Sequence, residues 1–145
     1  MNQKFTSTSV EQTWQIATDL ASKLKGGELV GLVGDLGAGK TEFVRGFVSH
    51  FGIENSEVNS PSFVLENLYE TSYSGSIHEI SHWDLYRVSE GQMPEDLYDY
   101  KGNMAKICLV EWSTKSKTLE SILDYTVIIQ LLEDDSRSLE IIPNS

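Results

Sequence analysis

The segment that most constrains the fold is a buried strand that runs into a glycine-rich loop and then a helix. Residues 28–33 form a short apolar run, residues 34–41 read GDLGAGKT, and residues 42–51 carry a helical pattern. The loop fits G-x-x-x-x-G-K-[ST], in which backbone N–H groups and the helix N-terminus surround phosphate groups. A flexible glycine turn is the alternative interpretation. The strand before the loop and the helix after it favour phosphate binding.

Two polar side chains of this loop have distinct predicted roles. Lys40 reaches the outer phosphates, and Thr41 offers its hydroxyl to Mg²⁺. Such a loop also needs a carboxylate at the end of a neighbouring buried strand, which holds the metal directly or through water. Glu111, which follows the apolar residues 107–110, has that position. We therefore predict that Lys40, Thr41 and Glu111 form one site.

A second carboxylate, Asp84, lies near the end of another apolar segment. Strand alternation places His82, Asp84 and Tyr86 on one face, and Trp83, Leu85 and Arg87 on the other. A polar face of this composition is unusual for a simple buried strand, so Asp84 is a candidate site residue. His82 remains open between a site residue and an ordinary core or surface histidine.

The remaining segments predict an α/β fold with a mixed sheet, in one domain that covers residues 1–145. Helix signals occur at residues 9–24, where Thr8 to Glu11 has the form of a capping box, and near Pro94, which we place in the first turn of a short helix. Strands are predicted at 63–71 and 77–86 as a hairpin with a turn at 73–76, at 106–112, and at 125–132 and 138–142 as a final hairpin.

Composition excludes several classes of function. The 145-residue chain has 11 Lys and Arg against 22 Asp and Glu, a net charge of −11, so direct contact with nucleic acid is not expected. It has no apolar run long enough to span a membrane and no signal-peptide core near its start, so the cytoplasm is the expected location. The single cysteine, Cys108, is expected to be a buried packing residue. The three histidines are too scattered for a zinc motif.

Four segments together resemble the TsaE family, formerly YjeE. They are the loop at 34–41, Ser60-Pro61-Ser62-Phe63, His82-Trp83-Asp84-Leu85-Tyr86-Arg87 and Leu109-Val110-Glu111-Trp112. Their order and spacing also match, over roughly residues 5–142. The resemblance implies a small single-domain P-loop NTPase with a mixed sheet flanked by helices, which binds ATP and Mg²⁺ and hydrolyses ATP slowly by itself.

The resemblance also implies partners. TsaB and TsaD transfer a threonylcarbamoyl group to the adenosine beside the anticodon of tRNAs that read codons beginning with A. The TsaE-type ATPase is not the transferase, and its hydrolysis of ATP is thought to reset the TsaB–TsaD complex. A strongly acidic chain suits a subunit that docks on proteins without touching RNA.

Site residues follow from the resemblance one by one. It implies that Thr41 and Glu111 bind Mg²⁺ and that Asp84 is the functional aspartate, with a metal or catalytic role. The nucleotide-binding residues it implies are Gly37, Ala38, Gly39, Lys40, Thr41, Ser62, Trp112 and Arg137, with the Thr8-Ser9 segment on the adenine side. Two departures occur. The family's Ser-Pro-Thr is Ser60-Pro61-Ser62 here, which keeps the hydroxyl of a possible switch segment, and Ser113 stands where proline commonly follows the tryptophan.

The leading hypothesis is Mg²⁺-dependent ATP hydrolysis, in which Lys40, Asp84 and Glu111 act by positioning and charge neutralisation. Two rivals remain. The first is a nucleotide-gated binding module in which binding of ATP, and not its hydrolysis, controls a partner. The second is a small-molecule P-loop kinase, but three arginines leave little material for an arginine-rich lid. No Asn-Lys-x-Asp motif supports a GTPase.

Overall fold

The chain is described from a computed structural model, which covers residues 2–35, 37–58, 66–71, 75–86, 88 and 94–144. Its strands are β1 (Gln3–Ser7), β2 (Leu29–Val33), β3 (Glu66–Glu70), β4 (Glu79–Asp84), β5 (Lys106–Glu111), β6 (Tyr125–Leu131) and β7 (Arg137–Pro143). Its α-helices are α1 (Val10–Lys23), α2 (Lys40–Ser49), α3 (Glu95–Asp99) and α4 (Lys117–Ile122), with 3-10 turns at Asn55–Glu57 and Ser113–Lys115.

The seven strands form one mixed sheet in the order β1-β7-β6-β2-β5-β4-β3. The central strand β2 pairs in parallel with β5 and β6, and β5 pairs in parallel with β4. The outer pairs β1–β7, β6–β7 and β3–β4 are antiparallel. The predicted α/β fold with a mixed sheet is therefore confirmed, and so are both hairpin pairings.

Helices cover both faces of the sheet. On one face α1 and α2 pack over a core that includes Phe43, Phe47 and the apolar side chains of β2, β5 and β6. On the other face α3 and α4 enclose a smaller core around Trp83, Cys108 and Leu119. Helices α1 and α2 approach so closely that a Cβ on Gly46 would lie 2.4 Å from Cα of Trp14. The backbones of the two helices are therefore in close contact at this point.

The start of α1 differs from the prediction by one residue. Ser9 is the N-cap and its side chain accepts from the Gln12 amide at 3.1 Å, so the capping pair is Ser9 and Gln12. The Gln12 side chain accepts in turn from the backbone N–H of Thr8 at 2.6 Å. Glutamine at the third helical position serves as well as glutamate in a capping box, which explains why Thr8 and Glu11 are the wrong pair.

Three further expectations need correction. Pro94 precedes α3 with an extended backbone, at ψ 127°, and does not lie in its first turn. Strand β4 ends at Asp84, so the predicted alternation does not extend to Tyr86. The edge strand β1 and the short helix α4 were not predicted, because five mostly exposed residues and a six-residue helix give little periodic signal. Ser60 to Val64, Arg87 and two of the four residues of the predicted turn at 73–76 lie outside the described residues.

None of the helices in the described ranges is both long enough and apolar enough to cross a lipid bilayer.

Candidate functional site

The loop between β2 and α2 has a backbone that favours anion binding. Gly37 and Gly39 adopt positive φ values of 81° and 110°, which glycine tolerates best. Gly39 is the N-cap of α2, and among the described residues no side chain caps the first amides of the helix. Those amides carry the positive end of the helix dipole, and this is the arrangement that binds phosphate in glycine-rich loops.

Close packing fixes the loop against the sheet. A Cβ at Gly34 would lie 2.6 Å from the backbone oxygen of Ile129 on β6, so this position accepts only glycine without a shift. At Gly37, by contrast, a Cβ would meet nothing within 4 Å. The loop is thus anchored at its start and open at its tip.

Lys40, the first residue of α2, has an unusual environment for a lysine. Its side chain is 6% exposed, and Nζ lies 3.6 Å from Oε1 of Glu111 and 4.4 Å from the ring centroid of Trp112. Among the described residues Nζ has no hydrogen-bond partner. A buried ammonium that makes an ion pair and a cation–π contact but no hydrogen bond fits a group that donates to an anionic ligand.

Glu111 ends β5 and is 4% exposed. Its Oε2 atom lies 2.6 Å from Nε2 of His82, which is fully buried, while Oε1 faces Lys40. His82 and Glu111 lie on the sheet face that α1 and α2 cover, because both alternate with side chains of that core. The predicted association of Lys40 with the strand-end carboxylate is therefore present in the fold.

Asp84 and Glu111 are direct partners in the parallel pairing of β4 and β5. Asp84 is only half-buried, and its Oδ1 accepts from the Tyr86 amide at 2.9 Å in a local turn. Tyr86 in turn packs on Trp112, with ring centroids 4.9 Å apart. The two candidate carboxylates thus end adjacent strands at the same edge of the sheet.

Trp112 has a left-handed backbone, at φ 62°, which turns the chain out of β5 directly after Glu111. This conformation is costly for a bulky residue, and here it accompanies the placement of the indole ring against the Lys40 ammonium.

A second group of predicted residues lies beside the tip of the loop. Arg137 Nε donates to the backbone oxygen of Ala38 at 3.1 Å, and its Nη1 donates to the backbone oxygen of Asp135 at 2.6 Å. A cavity of about 230 Å³ opens here, and its lining includes Thr8, Ser9, Gly39, Glu42 and Arg137. The fold therefore brings Thr8-Ser9 and Arg137 together beside Gly39, although they are far apart in sequence.

A larger cavity, of about 650 Å³, lies on another side of the loop, and its lining includes Val33, Gly34, Asp35, Trp112 and Ile128. It is shared by the carboxyl ends of β2 and β6, so the loop lies between two cavities.

The donors for a metal ion are few. Within the described ranges no group of three His, Cys, Asp or Glu side chains could hold a metal by itself. The Thr41 hydroxyl, Glu111 and Asp84 fit an ion that takes one or two protein ligands and completes its coordination with phosphate oxygens and water, which is the habit of Mg²⁺. Ser62 lies outside the described residues.

Comparison with known proteins identifies the family. A family model described as "Threonylcarbamoyl adenosine biosynthesis protein TsaE" matches residues 7–139. The chain belongs to the TsaE family. It is 38% identical over 138 residues to the TsaE protein of Rickettsia felis, covering 93% of this chain and 77% of that protein. It is 36% identical over 135 residues to that of Aquifex aeolicus, covering 92% and 90%.

A solved structure agrees with this assignment. The crystal structure of Bacillus subtilis YdiB matches with a TM-score of 0.75 and 28% identity, covering 100% of this chain and 87% of YdiB. The predicted resemblance is confirmed, and with it a role of this TsaE-family chain in threonylcarbamoyladenosine biosynthesis on tRNA.

Two contacts of the site were not predicted from sequence. The first is the bond between His82 and Glu111, which joins residues 29 positions apart. The polar alternation of His82 and Asp84 was the available signal, but it did not identify a partner. The second is the packing of Tyr86 on Trp112, which depends on how both strands end.

Proposed function

We propose that this TsaE-family chain is a Mg²⁺-dependent ATP hydrolase that acts with TsaB and TsaD in tRNA threonylcarbamoyladenosine synthesis. The observation that carries the proposal is the buried Lys40 ammonium, which lacks a hydrogen-bond partner in the described part of the chain and lies beside the uncapped amides of α2. Donors of this kind suit the β- and γ-phosphates of a nucleotide.

Within this proposal each site residue has its own role. Lys40 and the backbone amides of residues 37–41 bind and neutralise the phosphates, and Thr41 and Glu111 hold Mg²⁺. Mg²⁺, when bound, neutralises the charge that develops on the phosphate oxygens. Asp84 orients the attacking water or accepts from water in the outer shell of the metal.

Other residues bind the nucleotide away from the phosphates. Arg137 and the Thr8-Ser9 segment lie at the smaller cavity beside Gly39, which suits the base. Trp112 is proposed to bind the nucleotide beside Lys40, which its ring contacts. Ser62 is proposed as a nucleotide-binding hydroxyl on the resemblance alone.

Two features support a partner-dependent activity. Of three arginines in the chain, Arg137 already donates to two backbone oxygens, and Arg45 pairs with Glu42 at 2.7 Å. Neither of these two is free to stabilise the transition state, and Arg87 lies outside the described residues. We propose that docking on TsaB and TsaD completes the site. The net charge of −11 suits docking on protein in the cytoplasm without direct contact to tRNA.

One observation also supports the nucleotide-gated module. Lys40 makes its ion pair with Glu111 in this structure, and a bound phosphate would compete for the same ammonium. Nucleotide binding would then change the surroundings of Glu111 and Trp112, and this change could control a partner without hydrolysis.

The decisive experiment is phosphate release from ATP by the purified protein, alone and with its own TsaB and TsaD. We expect slow release that requires Mg²⁺, changes when the partners are added and is lost in Lys40→Ala. The matched control is Lys23→Ala, which removes an exposed lysine at the end of α1. Nucleotide binding that depends on Lys40, with no hydrolysis in any mixture, would support the module instead, and release unchanged in Lys40→Ala would contradict both.

A further inference from the structure

The buried contact between His82 and Glu111 goes beyond the roles assigned so far. His82 is fully buried in β4, and Nε2 lies 2.6 Å from Oε2 of Glu111. The other carboxylate oxygen, Oε1, lies 3.6 Å from Nζ of Lys40. The two oxygens of one carboxylate therefore have different neighbours, one in the sheet and one at the phosphate loop.

The geometry of the strands explains how His82 reaches this carboxylate. In the parallel pairing His82 is opposite Leu109, and Glu111 lies one step further along the same face. The ring therefore extends diagonally towards the carboxyl end of β5. An ionised carboxylate only accepts hydrogen bonds, so Nε2 must carry the hydrogen and donate it.

Packing alone does not explain a histidine at this position. The preceding residue on the same face is Ile80, which is also fully buried, and the opposite residue is Leu109. A polar ring in such a layer costs stability unless it is hydrogen-bonded. Among the described residues Nδ1 of His82 has no partner, so the bond to Glu111 is the one that the structure assigns to this ring.

We propose that His82 is a positioning residue that fixes the carboxylate of Glu111, so that Oε1 is held towards Lys40 and the phosphate side. The proposal rests on the nucleotide site described above. In that site the Glu111 carboxylate needs one defined orientation to bind Mg²⁺, because Mg²⁺ requires ligands in near-ideal octahedral geometry. A hydrogen bond to the distal oxygen supplies that orientation, as outer-shell partners of metal ligands generally do.

Two substitutions separate positioning from packing. His82→Leu fills the space but removes the donor, whereas His82→Gln keeps an N–H donor on a flexible chain. We expect His82→Leu to weaken the Mg²⁺-dependent part of ADP affinity and to lower kcat by about 10–100-fold, the usual range for losing a residue that hydrogen-bonds a metal ligand. ADP binding without Mg²⁺ should not change, and His82→Gln should show a clearly smaller loss. His78→Leu, which alters an exposed histidine just before β4, is the matched control.

The binding measurements use isothermal titration of ADP with and without Mg²⁺. If His82 only fills space, His82→Leu, which also fills it, will be impaired no more than His82→Gln, and any loss of ADP affinity will be the same with and without Mg²⁺. That outcome would overturn the proposal.

A second measurement needs no nucleotide and so separates this proposal from the proposed function. In the wild-type protein labelled with ¹⁵N-histidine, a long-range ¹H–¹⁵N spectrum should show Nε2 of His82 protonated, with the resonance assigned from its loss in His82→Gln. In Glu111→Leu that preference should be lost or shifted. A wild-type ring protonated only at Nδ1, or a spectrum unchanged in Glu111→Leu, would overturn the positioning role even if ATP binding is confirmed. Failure of the wild-type protein to bind ATP would overturn the proposed function. The spectrum would still test whether His82 donates a hydrogen bond to Glu111.

Discussion

The ends of β4 and β5 carry two carboxylates at paired positions, yet the surroundings of the two differ. Glu111 is buried, contacts Lys40 and His82, and precedes a tryptophan in a left-handed conformation. Asp84 is half-buried, and its Oδ1 accepts from the amide two residues later in its own turn. Both residues end parallel strands. Strand β5 lies beside β2, which precedes the glycine-rich loop, and β4 lies beside β5.

The difference arises from what covers each position. Strand β5 pairs directly with β2, so its end lies next to the loop and under the first turn of α2. Strand β4 is one strand further out. Equivalent register therefore does not imply equivalent electrostatics, because the Lys40 ammonium pairs with Glu111, and the His82 ring, although it belongs to β4, also bonds to Glu111.

The largest expected difference is in stability without nucleotide. Glu111→Leu leaves the Lys40 ammonium buried without its carboxylate, which we expect to lower the free energy of unfolding by about 3–5 kcal/mol. Asp84→Ala removes one turn hydrogen bond and should cost about 1 kcal/mol. Urea denaturation followed by tryptophan fluorescence measures both.

The control for this prediction is the double variant Lys40→Met/Glu111→Leu. It replaces the whole ion pair with apolar side chains, and much of the lost stability should return. If the single and double variants are equally unstable, or if Asp84→Ala costs as much as Glu111→Leu, the contrast between the two strand ends is wrong.

The second expected difference between Glu111 and Asp84 is in the rate of ATP hydrolysis. We expect Glu111→Gln to lower kcat for phosphate release by about 100-fold or more, because a neutral amide is a weaker ligand than a carboxylate for the Mg²⁺ that neutralises the reacting phosphate. Asp84→Asn should lower kcat less, by about 10-fold, if it acts through water in an outer shell. Glu120→Gln, on an exposed position of α4, should have no effect. A greater loss in Asp84→Asn would reverse the assignment of the two residues.

The sequence predicts the glycine-rich loop and the two strand-end carboxylates, but not the different surroundings of the two carboxylates. The loop, the strand before it and the helix after it could be predicted because motif and hydrophobic pattern agree over residues 28–51. Glu111 and Asp84 could be predicted as strand-end carboxylates because apolar runs precede them. Their neighbours could not be predicted, because strand order places β5, and not β4, beside β2.

The contacts that fix the site depend on long-range geometry. His82 and Glu111 meet only when two parallel strands, joined by a long connection, pair in one register. Trp112 contacts Lys40 only because its own backbone turns out of β5. The register of two parallel strands leaves no periodic signal in the sequence. A left-handed φ on tryptophan leaves none either, because backbone propensities disfavour this conformation for tryptophan.

A smaller effect on stability is expected from the left-handed backbone of Trp112. Trp112→Ala and Trp112→Gly both remove the indole ring and its cation–π contact with Lys40. Only glycine relieves the positive φ of 62°, so Trp112→Gly should be more stable than Trp112→Ala by about 1 kcal/mol. Urea denaturation of both variants tests this. Equal stabilities would mean that the chain leaves β5 by another conformation once the ring is gone.

The smallest effect is expected on the opposite face of β5, where the same strand carries a side chain without a site role. Cys108 is fully buried, and burial raises the pKa of its thiol well above the ordinary range. The thiolate is the reactive form, so a higher pKa leaves almost none at pH 8. A disulfide reagent such as dithionitrobenzoate should therefore not modify the native protein and should modify it rapidly in urea. Rapid reaction in the native state would mean that β5 opens locally, and an open β5 could not hold Glu111 in the fixed position on which its contrast with Asp84 depends.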